Sequence, residues 1–294
     1  MQQLDRLDVR SRKMLRGTMQ GERRSKKRGQ SVEFADYRPY VVGDDLRRID
    51  WNLYARLDKL FLRLFMEEED LSVTVAVDAS ASMRYGDPEK LLYARRLAAA
   101  LGYLALVHHN RVNLYRFGTG PLQLLEDLRG RRPIPRMLRF LDDEPAGSTG
   151  EDPAGGSLEQ SMRDLAIRQR RSGVVIVISD LLDKGDLADS LRYLADPRYD
   201  AYVLQVLSPV EVDPSQGSGA VTGDLRLVDL EDGDQTEVSV TPALIKRYKA
   251  TVQAYCRHAR EACHRRGLVY LLATTDVPVE TVVLRYLRQR GLVG

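Results

Sequence analysis

Two short apolar runs do most to limit what this chain can fold into. LSVTVAVD (residues 71–78) and GVVIVISD (173–180) are rich in β-branched residues and carry few polar side chains on either face. A strand that is apolar on both faces must be covered on both, which is the condition of a parallel sheet between helix layers. Each run ends in an aspartate, Asp78 and Asp180. Ligands of open α/β sheets bind at the carboxyl ends of the strands, so the two carboxylates can meet over one sheet edge.

The rest of the chain alternates in the same manner. Residues 88–107 read as a helix, with Pro88 suited to its first turn. RVNLYRFG returns as a strand, and 121–156 is loop-rich with a short helix near 134–141. SLEQSMRDLAIRQ is helical, with the Ser157/Gln160 spacing of a capping box. LADSLRYLA reads as a helix, AYVLQVLS as a strand, and 242–267 as a long amphipathic helix. GLVYLLAT is the last strand and 278–290 the last helix. The order predicts an α/β, Rossmann-like, mainly parallel sheet flanked by helices. Residues 211–240 predict a β-hairpin around an Asp-Gly turn, inserted between core units. Upstream, 4–19 reads as a helix, and LFLRLFMEEE as a strand carrying the chain into the main sheet.

Charge excludes some functions. The 45 basic residues nearly balance the 42 acidic ones, and the excess is concentrated before residue 30. No recognition helix or RNA-binding aromatic motif accompanies that basic stretch, so no specific nucleic-acid role is expected. No run reaches the roughly 18 apolar residues of a membrane span, and no apolar stretch follows the basic N-terminus as in a secretory signal. A cytoplasmic protein is the expectation. Cys256 and Cys263 stand seven positions apart in one helical pattern. That is about 10.5 Å along the axis, beyond disulfide reach, so reduced thiols are expected. His108 and His109 read as helix-end residues rather than catalysts. There is no Walker A pattern.

Asp78, Ser80 and Ser82 set one carboxylate and two hydroxyls on a short turn. Hard oxygen ligands of this kind suit Mg2+, octahedral at roughly 2.0–2.1 Å, or Mn2+. Asp180 would join directly or through water. A third loop, ahead of helix 158–169, offers Ser157 or Thr149, although Ser157 reads equally well as a helix cap. Neutral serine ligands leave the ion positive enough to accept a carboxylate from a protein partner. Two other readings stand beside this one. The polar loops could merely cap helices, or a Mg2+/Mn2+ site could hydrolyse a phosphate-containing substrate.

The arrangement resembles von Willebrand factor A-type domains. Asp78, Ser80 and Ser82 match that family's Asp-x-Ser-x-Ser motif and Asp180 its later strand-end aspartate. Ser157 or Thr149 is the nearest match to its intermediate-loop threonine. The resemblance implies a metal-ion-dependent adhesion site. A longer pattern, from GERRSKKRGQSVEFADYRPYVVGDDLRRIDWNLYAR on to VDASASM, resembles the DUF58 family of bacterial proteins. Glu33, Asp36, Tyr37, Arg38, Asp44, Asp45, Arg47, Asp50, Trp51 and Arg56 are among its carriers. The resemblance implies a signature segment, 1–70, packed on a von Willebrand A-like domain, 71–294. It also implies a protein partner, because DUF58 genes often sit beside those of MoxR-type AAA+ ATPases. An adaptor or chaperone-like role follows from that context. The signature's charged residues can form an ion-pair network around Tyr37, Tyr40 and Trp51, either to fix the segment or to present a partner surface.

Overall fold

The computed structural model describes residues 9, 11, 32–67, 71–118, 121–143, 157–169, 171–183, 185–215, 223–228 and 235–294. They belong to two units, Met19–Asp70 and a larger one made of Met1–Thr18 with Leu71–Gly294.

In the smaller unit β1 (Val32–Pro39) and β2 (Phe61–Glu67) form an antiparallel pair with a bulge between Phe34 and Asp36. The run expected to enter the main sheet therefore pairs with β1 instead. The connection is folded back by two capped turns. Asp45 accepts from Arg47 N ahead of the 3-10 turn Leu46–Arg48. Asp50 accepts from Asn52 N and Leu53 N at the start of α1 (Trp51–Leu57). Side-chain acceptors on orphan helix N–H groups are what make Asp a strong N-cap.

The larger unit runs β3 (Ser72–Asp78), α2 (Lys90–Val107), β4 (Arg111–Phe117), β5 (Gln123–Arg129), α3 (Ile134–Asp142), α4 (Leu158–Arg168) and β6 (Gly173–Ser179). It continues through α5 (Leu187–Leu191), β7 (Tyr199–Leu207), α6 (Pro209–Val212), β8 (Gly223–Val228), β9 (Gln235–Val240), α7 (Pro242–Arg265) and β10 (Val269–Thr274). It closes with α8 (Val279–Thr281) and a π-helical stretch, Val282–Leu287. The main sheet has the order β10-β7-β6-β3-β4-β5. All pairs are parallel except β4–β5. This is the expected α/β, Rossmann-like class, with the two apolar runs adjacent at its centre. The antiparallel edge strand β5 falls in the stretch read as loop.

Alternation along the strands divides the core. Val73, Val75 and Val77 of β3 and Ile176 of β6 pack on one face with Leu97, Leu101 and Leu104 of α2. Ala76, Val175 and Val177 face the other way, toward Leu165 of α4 and Ala259 of α7. Successive strand side chains point to opposite faces, so both layers are dry. The hairpin expected within 211–240 is β8–β9, with Gly223 opposite Val240; its Asp-Gly turn lies outside the described residues. Of the segment read as an N-terminal helix, Val9 forms an antiparallel bridge with Val293, and Ser11 donates to buried Asp200 at 2.6 Å. The remainder of 4–19 lies outside the described residues. Among the described residues no helix is long and apolar enough to cross a membrane.

Candidate functional site

Asp78 is the last residue of β3, and Asp180 directly follows β6, its parallel neighbour. Both carboxylates are buried. The chain then turns sharply. Asp78 Oδ1 accepts from Ser80 N at 2.9 Å, and Oδ2 accepts from Ser179 Oγ at 2.5 Å. Ser80 caps the 3-10 turn Ala81–Arg84, and its hydroxyl lies 3.0 Å from that of Ser82. Adjacent ligands of an octahedral ion at about 2.1 Å are separated by √2 times that length, about 3.0 Å. The two hydroxyls share a hydrogen bond, and its length matches one edge of a Mg2+ coordination shell. The donor set fits: one carboxylate and two hydroxyls, hard oxygens throughout. Among the described residues there is no cluster of three or more His, Cys, Asp or Glu side chains that could hold a metal. Any ion here would rest on Asp78 and hydroxyls and keep several waters.

Burial pushes the Asp78 carboxyl up to about 6, and the nearby Asp180 charge pushes in the same direction. The Ser179 hydroxyl and Ser80 N–H oppose the shift without cancelling it. A carboxyl with a raised folded-state pKa holds its proton better when folded than when unfolded. Its contribution is therefore full below the unfolded value near 3.8 and is lost as pH rises through about 6. In chelator-treated buffer, Asp78 should cost the fold about 2 kcal/mol between pH 4 and 7. Urea denaturation of wild type and Asp78→Asn across this range checks it. The stability difference between them should grow with pH, and a constant difference contradicts it.

Asp180 has a different neighbour. Its Oδ2 accepts from Lys90 Nζ at 2.8 Å, and its Oδ1 from Leu182 N at 3.0 Å. Lys90 opens α2 and is fully buried, and it also donates to Glu211 Oε1 at 2.5 Å. Burial alone would lower the ammonium's pKa, but the charges of Asp180 and Glu211 outweigh that and hold it above the ordinary value. Glu211 belongs to α6 and closes a capping box with Ser208. Leu181, between the aspartate and the loop, sits at φ 62°. That left-handed conformation is disfavoured for a branched side chain. Three bonds hold it: Leu181 N donates to Ser179 Oγ at 2.9 Å, and its carbonyl accepts from Asp183 N at 3.0 Å and from Tyr255 of α7.

Ser157 is the N-cap of α4, with Oγ accepting from Gln160 N at 3.2 Å, so one half of the expected capping box is present. Leu158 N donates to Asp183 Oδ2, tying this helix start to the loop after Asp180. Thr149 lies outside the described residues. Lys90, Glu211 and Gly118 escaped the sequence reading. A lysine opening a helix resembles any solvated lysine, and only the topology reveals its burial. Gly118 follows β4 at φ +94°, where a Cβ would stand 2.6 Å from both Asp78 Oδ1 and Ser80 N.

The signature residues sit in the smaller unit. Arg38 pairs with Asp44 at 2.7 Å, and Tyr37 donates to Asp50 at 3.0 Å. Asp45 and Asp50 also accept from backbone N–H groups, so part of the network caps turns. Glu33 and Asp36 lie on β1 opposite Met66 and Leu64. Arg47 and Arg56 are exposed. Trp51 is 61% exposed and meets Tyr54 edge to face at 6.2 Å. Cys256 and Cys263 are free and buried, as the helical spacing predicts. His108 caps the end of α2.

A family model described as "Protein of unknown function DUF58" matches residues 36–259. The protein named "Uncharacterized protein Rv1480" of Mycobacterium tuberculosis is 28% identical over 292 residues, covering 98% of this chain and 89% of that relative. Among solved structures, BatB from Bacteroides thetaiotaomicron is 17% identical, with a TM-score of 0.41 over 69% of this chain and 90% of that one. An aerotolerance-related membrane protein from Bacteroides fragilis is 15% identical, with a TM-score of 0.43 over 75% and 98%.

Proposed function

The chain belongs to the DUF58 family, and from that premise we propose that it is a protein-binding module whose strand-end site works through a divalent cation. Mg2+, or Mn2+ in its place, is held by Asp78, Ser80 and Ser82. Asp180 contributes its charge, and Ser157 or Thr149 completes the site from the third loop. The ion supplies an electrophilic position for a carboxylate of the partner. The observation that carries the reading is the turn itself: a buried carboxylate beside two hydroxyls 3.0 Å apart, at the carboxyl end of a central parallel strand. The signature segment 1–70 adds a second partner surface, built on exposed Trp51, Val42 and Leu57. Aromatic and apolar side chains of this kind often anchor interfaces. The partner is an AAA+ ATPase of the MoxR type or its substrate, and the chain acts as an adaptor in protein maturation, in the cytoplasm.

Capture from extracts of the source cell tests this. The immobilised chain should retain a specific protein in Mg2+ and release it in EDTA, and Asp78→Ala should fail to retain it. An unchanged set of captured proteins in both treatments overturns the proposal. Turnover of phosphate esters that requires Mn2+ and Asp78 would favour a hydrolase instead.

A further inference from the structure

Lys90 is the least expected component of the strand-end site. Its side chain is wholly buried, with Asp180 at 2.8 Å and Glu211 at 2.5 Å. Both partners are held in place by other bonds. Asp180 is fixed by Leu182 N, and its own backbone carbonyl accepts from Gln205 Nε2 at 2.9 Å. Gln205 is in turn held by Tyr270 at 2.5 Å. Glu211 is fixed by Ser208 N at 2.7 Å. A buried ion group in which each carboxylate oxygen has a donor is rigid, and breaking it is costly.

We propose that Lys90 is the resident cation of the site: by holding Asp180 and Glu211 it reserves a divalent ion for Asp78, Ser80 and Ser82 and keeps the loaded pocket from being anionic. This rests on the metal reading above and deepens it. Three carboxylates and one ammonium carry two surplus negative charges, which one divalent ion cancels. Without the ammonium the loaded pocket would keep a negative charge and repel an acidic partner. With it, the pocket is neutral and the ion's open position accepts a carboxylate. Lys90 is thus a positioning residue that sets which groups reach the metal. The partner chemistry it favours is an exposed Asp or Glu.

Mn2+ titration of the full chain, read by the electron paramagnetic resonance of free Mn2+ and by melting temperature, tests this. Asp78→Ala should lose Mn2+ binding, whereas Asp180→Asn should weaken it by about 10–100-fold, as for a group outside the direct ligands. The charge-balanced pair Lys90→Met with Glu211→Gln keeps the capping box and frees Asp180 for the ion. It should bind Mn2+ about tenfold more tightly and gain more in melting temperature on adding Mn2+ than wild type does. Loss of binding in folded Asp180→Asn as complete as in Asp78→Ala overturns the assignment. So does wild-type affinity in the folded pair variant. If the pair variant fails to fold, Asp180→Asn decides alone. A wild-type chain that binds no Mn2+ overturns the metal reading itself, whereas wild-type binding that Asp180→Asn abolishes overturns only the role given to Lys90.

Discussion

Lys90→Met is expected to destabilise the larger unit by about 3–5 kcal/mol, because removing one member of a buried ion group leaves the others charged and unpaired. Asp180 and Glu211 would both lose their ammonium, at 1% and 14% side-chain or residue exposure respectively. Methionine matches the length of the lysine stem, so packing around the α2 start is kept and the electrostatic loss is isolated. For a chain of this size, that loss lowers the melting temperature by roughly 5–10 °C. Urea denaturation should show a lower midpoint with an unchanged slope. A midpoint within experimental error of wild type would mean that water or a counter-ion already serves these carboxylates and that the ammonium is dispensable.

Gly118→Ala is the second large effect. The glycine's φ of +94° is one that other residues rarely adopt, and its Cβ would sit 2.6 Å from the Asp78 carboxylate and from Ser80 N. The backbone term alone costs about 1–3 kcal/mol. The contact adds to it, because Ser80 N is backbone and the Asp78 carboxylate is held from both sides. The variant should lose about 2–4 kcal/mol of stability, and with it the register of Asp78 against Ser80 and Ser82. Chemical denaturation gives the first quantity and Mn2+ titration the second. A variant of normal stability would show that the loop after β4 can move aside at no cost.

How much of this was legible in the sequence depends on what each residue faces. β3 and β6 were legible because both of their faces are dry, as Val75 and Ala76 show by pointing into opposite core layers. β5 was not. Only Leu125 and Leu128 of that strand are buried, Glu126 and Asp127 are exposed, and a register shift against β4 breaks the alternation. A one-sided, bulged edge strand leaves little periodicity to read. LFLRLFMEEE was legible as a strand, yet its neighbour was not, because periodicity says which face is buried and nothing about which strand lies alongside. At the site, Asp78, Ser80 and Ser82 were legible because their spacing is local. Lys90 and Glu211 were not, since they stand 121 positions apart and meet only after the intervening chain has folded. Long-range charge pairing of this kind leaves no local signature.

The bridge from Val9 to Val293 and the bond from Ser11 to Asp200 bear on how the chain can be dissected. Both anchor points precede the smaller unit, which makes Met19–Asp70 an excursion that leaves the larger unit and returns to it. Trimming the chain back to Leu71 would therefore remove one side of an isolated β-bridge and a hydroxyl donor to a buried carboxylate. Excising 19–70 and splicing its flanks with a flexible connector would spare both. The contribution of the signature segment should be measured on that looped-out form, since a shortened chain would confuse loss of a recognition surface with loss of fold.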